Sequence, residues 1–269
     1  MKRISWGLLI WYALAVLFLF APIITSIVYS FNLGSLGKQT SAFMGWTTQW
    51  FADAWTNGSL RQAMLVSLKA SFWAALVAVV LGTSLGIALV RHPSPLIRQL
   101  LSIFCIALLV VPETVIGVSL LLFYAETGIP LGLATLVFGI SPLATAVTAL
   151  IIRSGLLTLD RSLEEAAIDL GATPAQAIRD IVLPHLMPAV IVSALIAYVF
   201  SFDNLVISNF LATPVVNTLP VYLFGSLQYG PSPAIYAAAS SIFGLTLLLL
   251  AIAAVIYRST FGRRASYLQ

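Results

Sequence analysis

Two carboxylic acids lie inside long apolar stretches, Glu113 and Asp203. Of all the residues in the chain, these two most clearly indicate a chemical function. A carboxylate at mid-membrane costs roughly 2.5–3.5 kcal/mol on insertion scales, so such a group normally faces a cavity, a pathway or a basic partner. If both acids line a path through a membrane, they offer a cation a counter-charge at each step. The alternative is that one or both lie near the outer interface, or that they form structural pairs.

The second distinctive feature is a charged segment, residues 159–188, in an otherwise apolar chain. It holds seven of the chain's 9 acidic and 13 basic residues: Asp160, Arg161, Glu164, Glu165, Asp169, Arg179 and Asp180. A stiff connector lying on the inner leaflet is one interpretation. A helix that binds the leaflet is expected to be basic, whereas this one has acids at positions 160, 164, 165 and 169. The charge pattern therefore favours docking of a soluble protein partner.

The first half of this segment has the pattern of a short helix. Ser162 and Glu165 have the spacing of a capping box. Gly171 follows the helical pattern directly, at the position where helices commonly end with a left-handed residue. One apolar face is predicted from the helical spacing of four residues: Leu163, Ala166, Ala167 and Leu170.

A second helix is predicted to follow the glycine bend. Thr173 is its expected N-cap and Pro174 occupies the first helical position, where a missing N–H is tolerated. We expect this helix to end at Leu183-Pro184, because proline disfavours continuation of a helix.

Enzymatic, metal and nucleic-acid chemistry find no support in the sequence. His92 and His185 are far apart, with no cysteine or carboxylate at ligand spacing, so we predict no metal site. No set of nucleophile, base and orienting residue is visible, and we predict no catalytic residue. Cys105, the single cysteine, is expected to be a small core residue.

The composition places the chain in a membrane. It is 60% hydrophobic and 8% charged, against about 25% charged residues in soluble domains. Spanning segments must be helical, because a backbone in lipid satisfies its own hydrogen bonds. Six stretches are long enough, near residues 6–31, 63–91, 97–124, 132–157, 187–212 and 235–258. The prediction is an all-α, polytopic, single domain over residues 1–269, with close helix packing at Gly82 and Gly86.

The charges of the loops predict the orientation of the chain. With the N-terminus inside, the cytoplasmic side collects ten basic residues: Lys2, Arg3, Arg91, Arg98, Arg153, Arg161, Arg179, Arg258, Arg263 and Arg264. The outer side keeps three: Lys38, Arg61 and Lys69. This asymmetry follows the positive-inside rule and places both termini and the insert 159–188 in the cytoplasm.

The insert also carries a recognisable motif. The run Glu165-Ala-Ala-Ile-Asp-Leu-Gly171, followed by Ile178 and Leu183-Pro184, resembles the EAA loop of ABC importer permease subunits. Further segments are similar to the spermidine/putrescine branch of that family: Ser67-Leu68, Pro112-Glu113, Ser201 to Asn204, Thr218 to Pro220 and Gly230 to Pro233.

This resemblance implies a type I importer permease fold with cytoplasmic coupling helices. By the same resemblance, the insert contacts an ATPase subunit through Glu164, Glu165, Ala166, Ala167, Asp169 and Gly171. It implies partners as well: a second homologous permease, two ATPase subunits that bind ATP and Mg, and an extracytoplasmic binding protein. The expected location is the inner membrane, and this chain is expected to need no cofactor of its own.

The predicted function is transport of a small organic cation, such as spermidine or putrescine, along a path that includes Glu113, Asp203 and Asn204. Two departures bear on the substrate. The polyamine branch usually has an acidic pair where this chain has Asp203-Asn204, and a histidine early in the fourth helix, where this chain reads Phe138 to Pro142. The alternative function is a stand-alone secondary carrier or channel that uses Glu113 and Asp203 as ion sites.

Overall fold

The computed structural model describes residues 6–35, 37–228, 230, 232–244 and 247, and these form an all-α protein. In chain order the helices are α1 (Trp6–Tyr29), α2 (Gln49–Thr56), α3 (Gly58–Arg91), α4 (Pro95–Val110), α5 (Glu113–Thr127), α6 (Leu133–Leu157), α7 (Ser162–Asp169), α8 (Pro174–Ala177), α9 (Leu183–Phe202), α10 (Val206–Leu211) and α11 (Leu219–Gln228). Residues 233–244 are also helical. A π-helical turn, Ile178–Val182, joins α8 to α9.

Most predicted spans correspond to observed helices. The spans near 6–31, 63–91 and 132–157 are α1, α3 and α6. The span near 187–212 is split, because α9 ends at Phe202 and α10 begins at Val206. The span near 235–258 is helical as far as residue 244, and most of its remainder lies outside the described residues. In the described chain, four helices are long and apolar enough to cross a membrane.

The expectation of one helix over 97–124 is wrong. α4 and α5 meet at 94°, with Pro112 at the corner. Val111, directly before the proline, is extended with ψ 128°, because the proline ring disfavours helical backbone in the preceding residue. The carbonyl of Pro112 then accepts the N–H of Val115 at 3.0 Å and starts α5. Counting the bent pair as one span gives five in the described chain.

The chain divides into two compact units. One consists of Met1–Arg61 and Leu223–Gln269, and the other of Gln62–Tyr222. The second unit contains α4 to α10 and most of α3. It holds the charged insert and the two acids predicted to lie within the membrane, Glu113 and Asp203.

Within the second unit, α3 and α6 pack closely and run in the same direction. A Cβ atom added at Gly82 would lie 2.6 Å from the Cβ of Thr148, and one at Gly86 would lie 2.7 Å from the Cβ of Ile152. The predicted packing role of the two glycines is confirmed, because a larger residue at either site would separate the helices. The residue numbers rise together along both helices, so the helices are parallel.

α9 runs against α6. Ala197 shares a buried cluster with Ala144, whereas a Cβ at Gly155 would lie 2.9 Å from Ala189. At these two contacts the residue numbers rise along α6 and fall along α9, so the two helices are antiparallel. Because α3 and α6 are parallel, the bent α4–α5 pair must carry the chain back across the bundle between them.

Candidate coupling and pathway sites

The N-terminus of α7 is capped by an aspartate. The Ser162 N–H donates to the Asp160 carboxylate at 2.9 Å, while Glu165 pairs with Arg161 at 3.3 Å. The predicted capping box of Ser162 and Glu165 is therefore wrong, because Asp160 accepts the Ser162 N–H and the Glu165 carboxylate pairs with Arg161 instead. The Ser162 backbone N–H, and after it the Ser162 hydroxyl, donate to the Asp160 carboxylate and hold its pKa below the ordinary value. The cap is present at neutral pH and is lost as the pH falls through that lowered pKa.

Gly171 ends α7 as predicted. Its φ is +93°, a left-handed backbone that L residues avoid. The Gly171 N–H donates to the carbonyl of Ile168 at 2.9 Å, and the Ala172 N–H donates to the carbonyl of Ala167 at 3.0 Å. This pair of bonds is a Schellman motif, which satisfies the last carbonyls of the helix.

Most of the predicted contact residues of α7 lie on the surface. Glu165, Ala166, Asp169 and Gly171 are exposed, and Ala167 is half-buried. Leu170 is 90% exposed, beside the glycine bend. These acids and small residues of α7 are therefore open to solvent on one side of the insert.

Glu164 departs from the expected surface role. Its side chain is 12% exposed and pairs with Arg91, the last residue of α3, whose side chain is 16% exposed. The Nη2 of Arg91 donates to Oε1 of Glu164. The carboxylate of Glu164 therefore faces Arg91 within the chain, and its contact with an ATPase stays a prediction. Sequence spacing could not reveal this, since the two residues are 73 positions apart.

The second helix of the insert begins as predicted. The Thr173 hydroxyl accepts the Gln176 N–H at 3.3 Å, and the Gln176 side chain accepts the Thr173 N–H at 2.8 Å, with Pro174 at the first position. The predicted end at Leu183-Pro184 is wrong. The Leu183 N–H bonds to the carbonyl of Ile178, and this π turn lets the chain enter α9 without the amide that Pro184 lacks.

The breaks after α4 and after α9 meet at a polar contact. Nδ2 of Asn204 donates to Oε2 of Glu113 at 3.0 Å. Oδ1 of Asn204 accepts the Ser208 N–H at 3.2 Å and so caps the first turn of α10. Asn204 is 5% exposed, whereas Glu113 is half-buried. Non-helical backbone at membrane depth is tolerated where protein buries it or where it lines a cavity.

Asp203 lies apart from this contact. It ends α9, where its N–H donates to the carbonyl of Val199 at 3.0 Å, and its residue is exposed. It continues the exposed apolar ridge of α9, which has a spacing of four: Met187, Ile191, Leu195 and Val199. The structure therefore brings together two of the three predicted pathway residues, Glu113 and Asn204.

Two further motif segments meet in the same unit. The Leu219 N–H donates to the buried Ser67 hydroxyl at 2.8 Å, so α3 satisfies a free amide at the start of α11. The Gln62 side chain donates to the carbonyl of Val215 at 2.8 Å. For metal ions, no group of three possible ligands from His, Cys, Asp and Glu was found among the described residues.

Long apolar helices that pack in parallel and antiparallel pairs are the architecture of a multi-pass membrane protein. Residues 78–266 match the family described as "Binding-protein-dependent transport system inner membrane component". The chain belongs to that family. It is therefore a multi-pass protein of the inner membrane and a permease subunit of an ABC importer rather than an enzyme or a stand-alone carrier.

Two curated relatives from Escherichia coli (strain K12) are similar over most of their length. The putrescine transport system permease protein PotI is 36% identical over 233 residues, which are 84% of this chain and 82% of PotI. The spermidine/putrescine transport system permease protein PotC is 31% identical over 244 residues, 90% of each chain. These similarities confirm the resemblance that the EAA-like motif predicted.

A solved structure supports the fold independently. A chain of a bacterial ABC transporter involved in the import of the acidic polysaccharide alginate has a TM-score of 0.71 and 14% identity, covering 97% of this chain and 100% of that chain. At this identity the likeness concerns the fold alone. The predicted all-α importer permease fold is confirmed.

Proposed function

We propose that this chain carries a small organic cation, a polyamine such as putrescine or spermidine, through the inner membrane in an ATP-driven importer. The observation that carries the substrate class is the Glu113 carboxylate, held at 3.0 Å by the buried Asn204 amide where two helices break. A neutral amide orients this acid but supplies no counter-charge, so that place is left for a cation. The polyamine names of the two relatives point the same way.

The exposed Asp203 suggests where the path runs. It ends an apolar ridge on α9, and a carboxylate on such a ridge is costly against lipid. We propose that this ridge faces a second, homologous permease and that the substrate passes between the two. Asp203 then supplies a counter-charge from the surface of the ridge, and Glu113 supplies one from the helix break.

The orientation of the chain is also a proposal, with both termini and the insert in the cytoplasm. The ion pair between Arg91 and Glu164 supports it, because it joins the end of α3 to the insert and so places both on one side. The parallel course of α3 and α6 agrees, since both helices end on that side. The basic residues of the adjoining loops assign this side to the cytoplasm.

The proposed partners are two ATPase subunits, the second permease and an extracytoplasmic binding protein. The exposed face of α7, with Glu165, Ala166, Asp169 and Leu170, docks on an ATPase. ATP and Mg bind to the ATPases, and this chain needs no cofactor. When ATP draws the ATPases together, the insert moves as a lever and the helix bundle opens outward to receive substrate. ATP hydrolysis then returns the bundle to its inward-facing state.

Uptake by proteoliposomes tests this proposal. The full complex, supplied with ATP and its binding protein, is given labelled putrescine, spermidine, a neutral sugar and an anionic sugar. We expect uptake of a polyamine that stops when ATP or the ATPase is left out. Preferred uptake of the sugar or the anion would contradict the cationic substrate. Uptake without the ATPase would contradict ATP-driven coupling.

A further inference from the structure

The ion pair between Arg91 and Glu164 joins a residue of the insert to one that lies outside every segment carrying the family resemblance, Arg91. Arg91 is the last residue of α3 and Glu164 lies in the first turn of α7. A cation is favoured at a helix C-terminus and an anion at a helix N-terminus. Each partner is thus stabilised by its own helix end, and the pair joins the two ends directly.

This pair differs from the other ion pairs of the insert. Arg161–Glu165 and Arg179–Asp180 are formed by exposed side chains, and pairs of that kind contribute little. Arg91 and Glu164 are mostly buried. Removal of one partner would leave the other charged and buried without compensation.

Burial suits this pair to fixing geometry rather than to adding stability. The Nε of Arg91 is buried and has no hydrogen-bond partner among the described residues, so the guanidinium is incompletely satisfied. Desolvation offsets much of the attraction in such pairs, and their best-attested use is to specify one arrangement of elements.

We propose that Arg91 is a positioning residue for coupling, which holds α7 to the end of α3 so that the two move together. This proposal rests on the proposed docking of α7 on an ATPase. α3 packs on α6 through Gly82 and Gly86, and its Ser67 holds the start of α11. Motion of the insert would then reach α6 and Leu219, at the start of α11, through α3, in addition to α9, which continues directly from the insert.

Hydrogen exchange in the purified full-length chain tests the clamp without any ATPase. Arg91→Met should accelerate exchange of the amides of residues 163–169 by about tenfold, because α7 loses its anchor. The charge swap Arg91→Glu with Glu164→Arg should restore protection, and Arg91→Lys, which keeps the charge, should lie between. Arg179→Gln, which breaks an exposed pair of the same insert, is the matched control and should leave these amides unchanged. Unaltered exchange in Arg91→Met would overturn the proposal.

Transport measured per ATP hydrolysed tests the coupling. In the reconstituted complex, Arg91→Met should bind the ATPase but lower this ratio by about tenfold, and the swap should restore it. A normal ratio despite faster exchange would overturn transmission through α3. The charge-swap variant could reach the membrane and bind the ATPase yet restore neither slow hydrogen exchange nor transport per ATP. That result would overturn the pairing of Arg91 with Glu164. Lack of ATP-driven uptake by the wild-type complex would instead contradict the proposed function, and the exchange result would still stand.

Discussion

The Asn204 amide donates to the Glu113 carboxylate at 3.0 Å, across 91 residues of sequence. Its other atom, Oδ1, accepts the Ser208 N–H at 3.2 Å. One buried side chain therefore caps α10 and orients an acid at the corner between α4 and α5.

This contact changes the outcome expected for Asn204→Asp. The family resemblance by itself predicts that Asn204→Asp is tolerated, because an acidic pair is usual at this place in the polyamine branch. In the structure, the new carboxylate would face that of Glu113, and two such groups repel unless a proton or cation lies between them. We expect uptake to fall by roughly tenfold, equivalent to about 1.4 kcal/mol. The double variant Glu113→Gln with Asn204→Asp restores one amide–carboxylate pair with exchanged roles and should regain part of the uptake. Full uptake by the single variant would contradict a role for this contact.

Asp203→Asn tests the exposed charge on α9. The amide keeps the size and polarity of the side chain but offers a cation no counter-charge. We expect uptake to fall by roughly tenfold or more, about 1.4 kcal/mol per tenfold. Substrate affinity of the binding protein should not change, because it belongs to another chain. Asp203→Glu is the matched control and should retain most of the uptake. Normal uptake by Asp203→Asn would leave the importer assignment intact and remove the charge-matching argument.

The helical elements and the bend at Gly171 follow from local sequence. Hydrophobic length predicts α1, α3 and α6, and a glycine at the end of a short helical pattern predicts the left-handed cap. These features depend on neighbouring residues, so the sequence contains the information directly.

Features that depend on distant residues were not predictable in this way. The burial of Glu164 depends on Arg91, and the orientation of Glu113 depends on Asn204. The corner at Pro112 had a local signal, since proline restricts the residue before it, but hydrophobic length outweighed that signal. The helix continues through Pro184 because a π turn precedes it, in which each N–H bonds to the carbonyl five residues back. No residue pattern marks such a turn.

Gly171→Val should destabilise the bend of the insert. The space around a Cβ atom there is open, so the cost comes from the backbone, at φ +93°. A left-handed L residue costs about 1–2 kcal/mol, and a β-branched one more. Uptake and co-purification of the ATPase should both fall. Gly171→Asn is the control, because asparagine tolerates this conformation, and it should stay near wild type. Equal loss in both variants would point to a side-chain clash with the partner instead of backbone strain.

Cysteine labelling tests the proposed orientation. In a variant without Cys105, a single cysteine at Asp160 should be shielded from an impermeant thiol reagent in intact cells. One at Thr56, in α2, should react, because the loop after α1 is predicted to face outward. Permeabilised cells should expose the Asp160 position and supply the positive control. Reaction at Asp160 in intact cells would invert the topology and contradict docking on a cytoplasmic ATPase.

Gly82→Leu tests the contact between α3 and α6. Even a Cβ atom there would lie 2.6 Å from the Cβ of Thr148 and 2.9 Å from the carbonyl of Thr145. Both helices must separate to admit it, and overpacking of this kind costs about 1–3 kcal/mol. Thermal unfolding in detergent should begin at a lower temperature, and Gly82→Ala should show a smaller shift in the same direction.

Gly58→Ala is the matched control for this contact. Gly58 begins the same helix, and a Cβ atom there meets nothing within 4 Å. Alanine forms helices better than glycine by about 1 kcal/mol, so this variant should unfold at the same temperature or slightly higher. A Gly82→Leu variant with wild-type stability would show that α3 and α6 are not in close contact. The route by which α3 passes motion to α6 would then be lost, although Arg91 could still anchor α7.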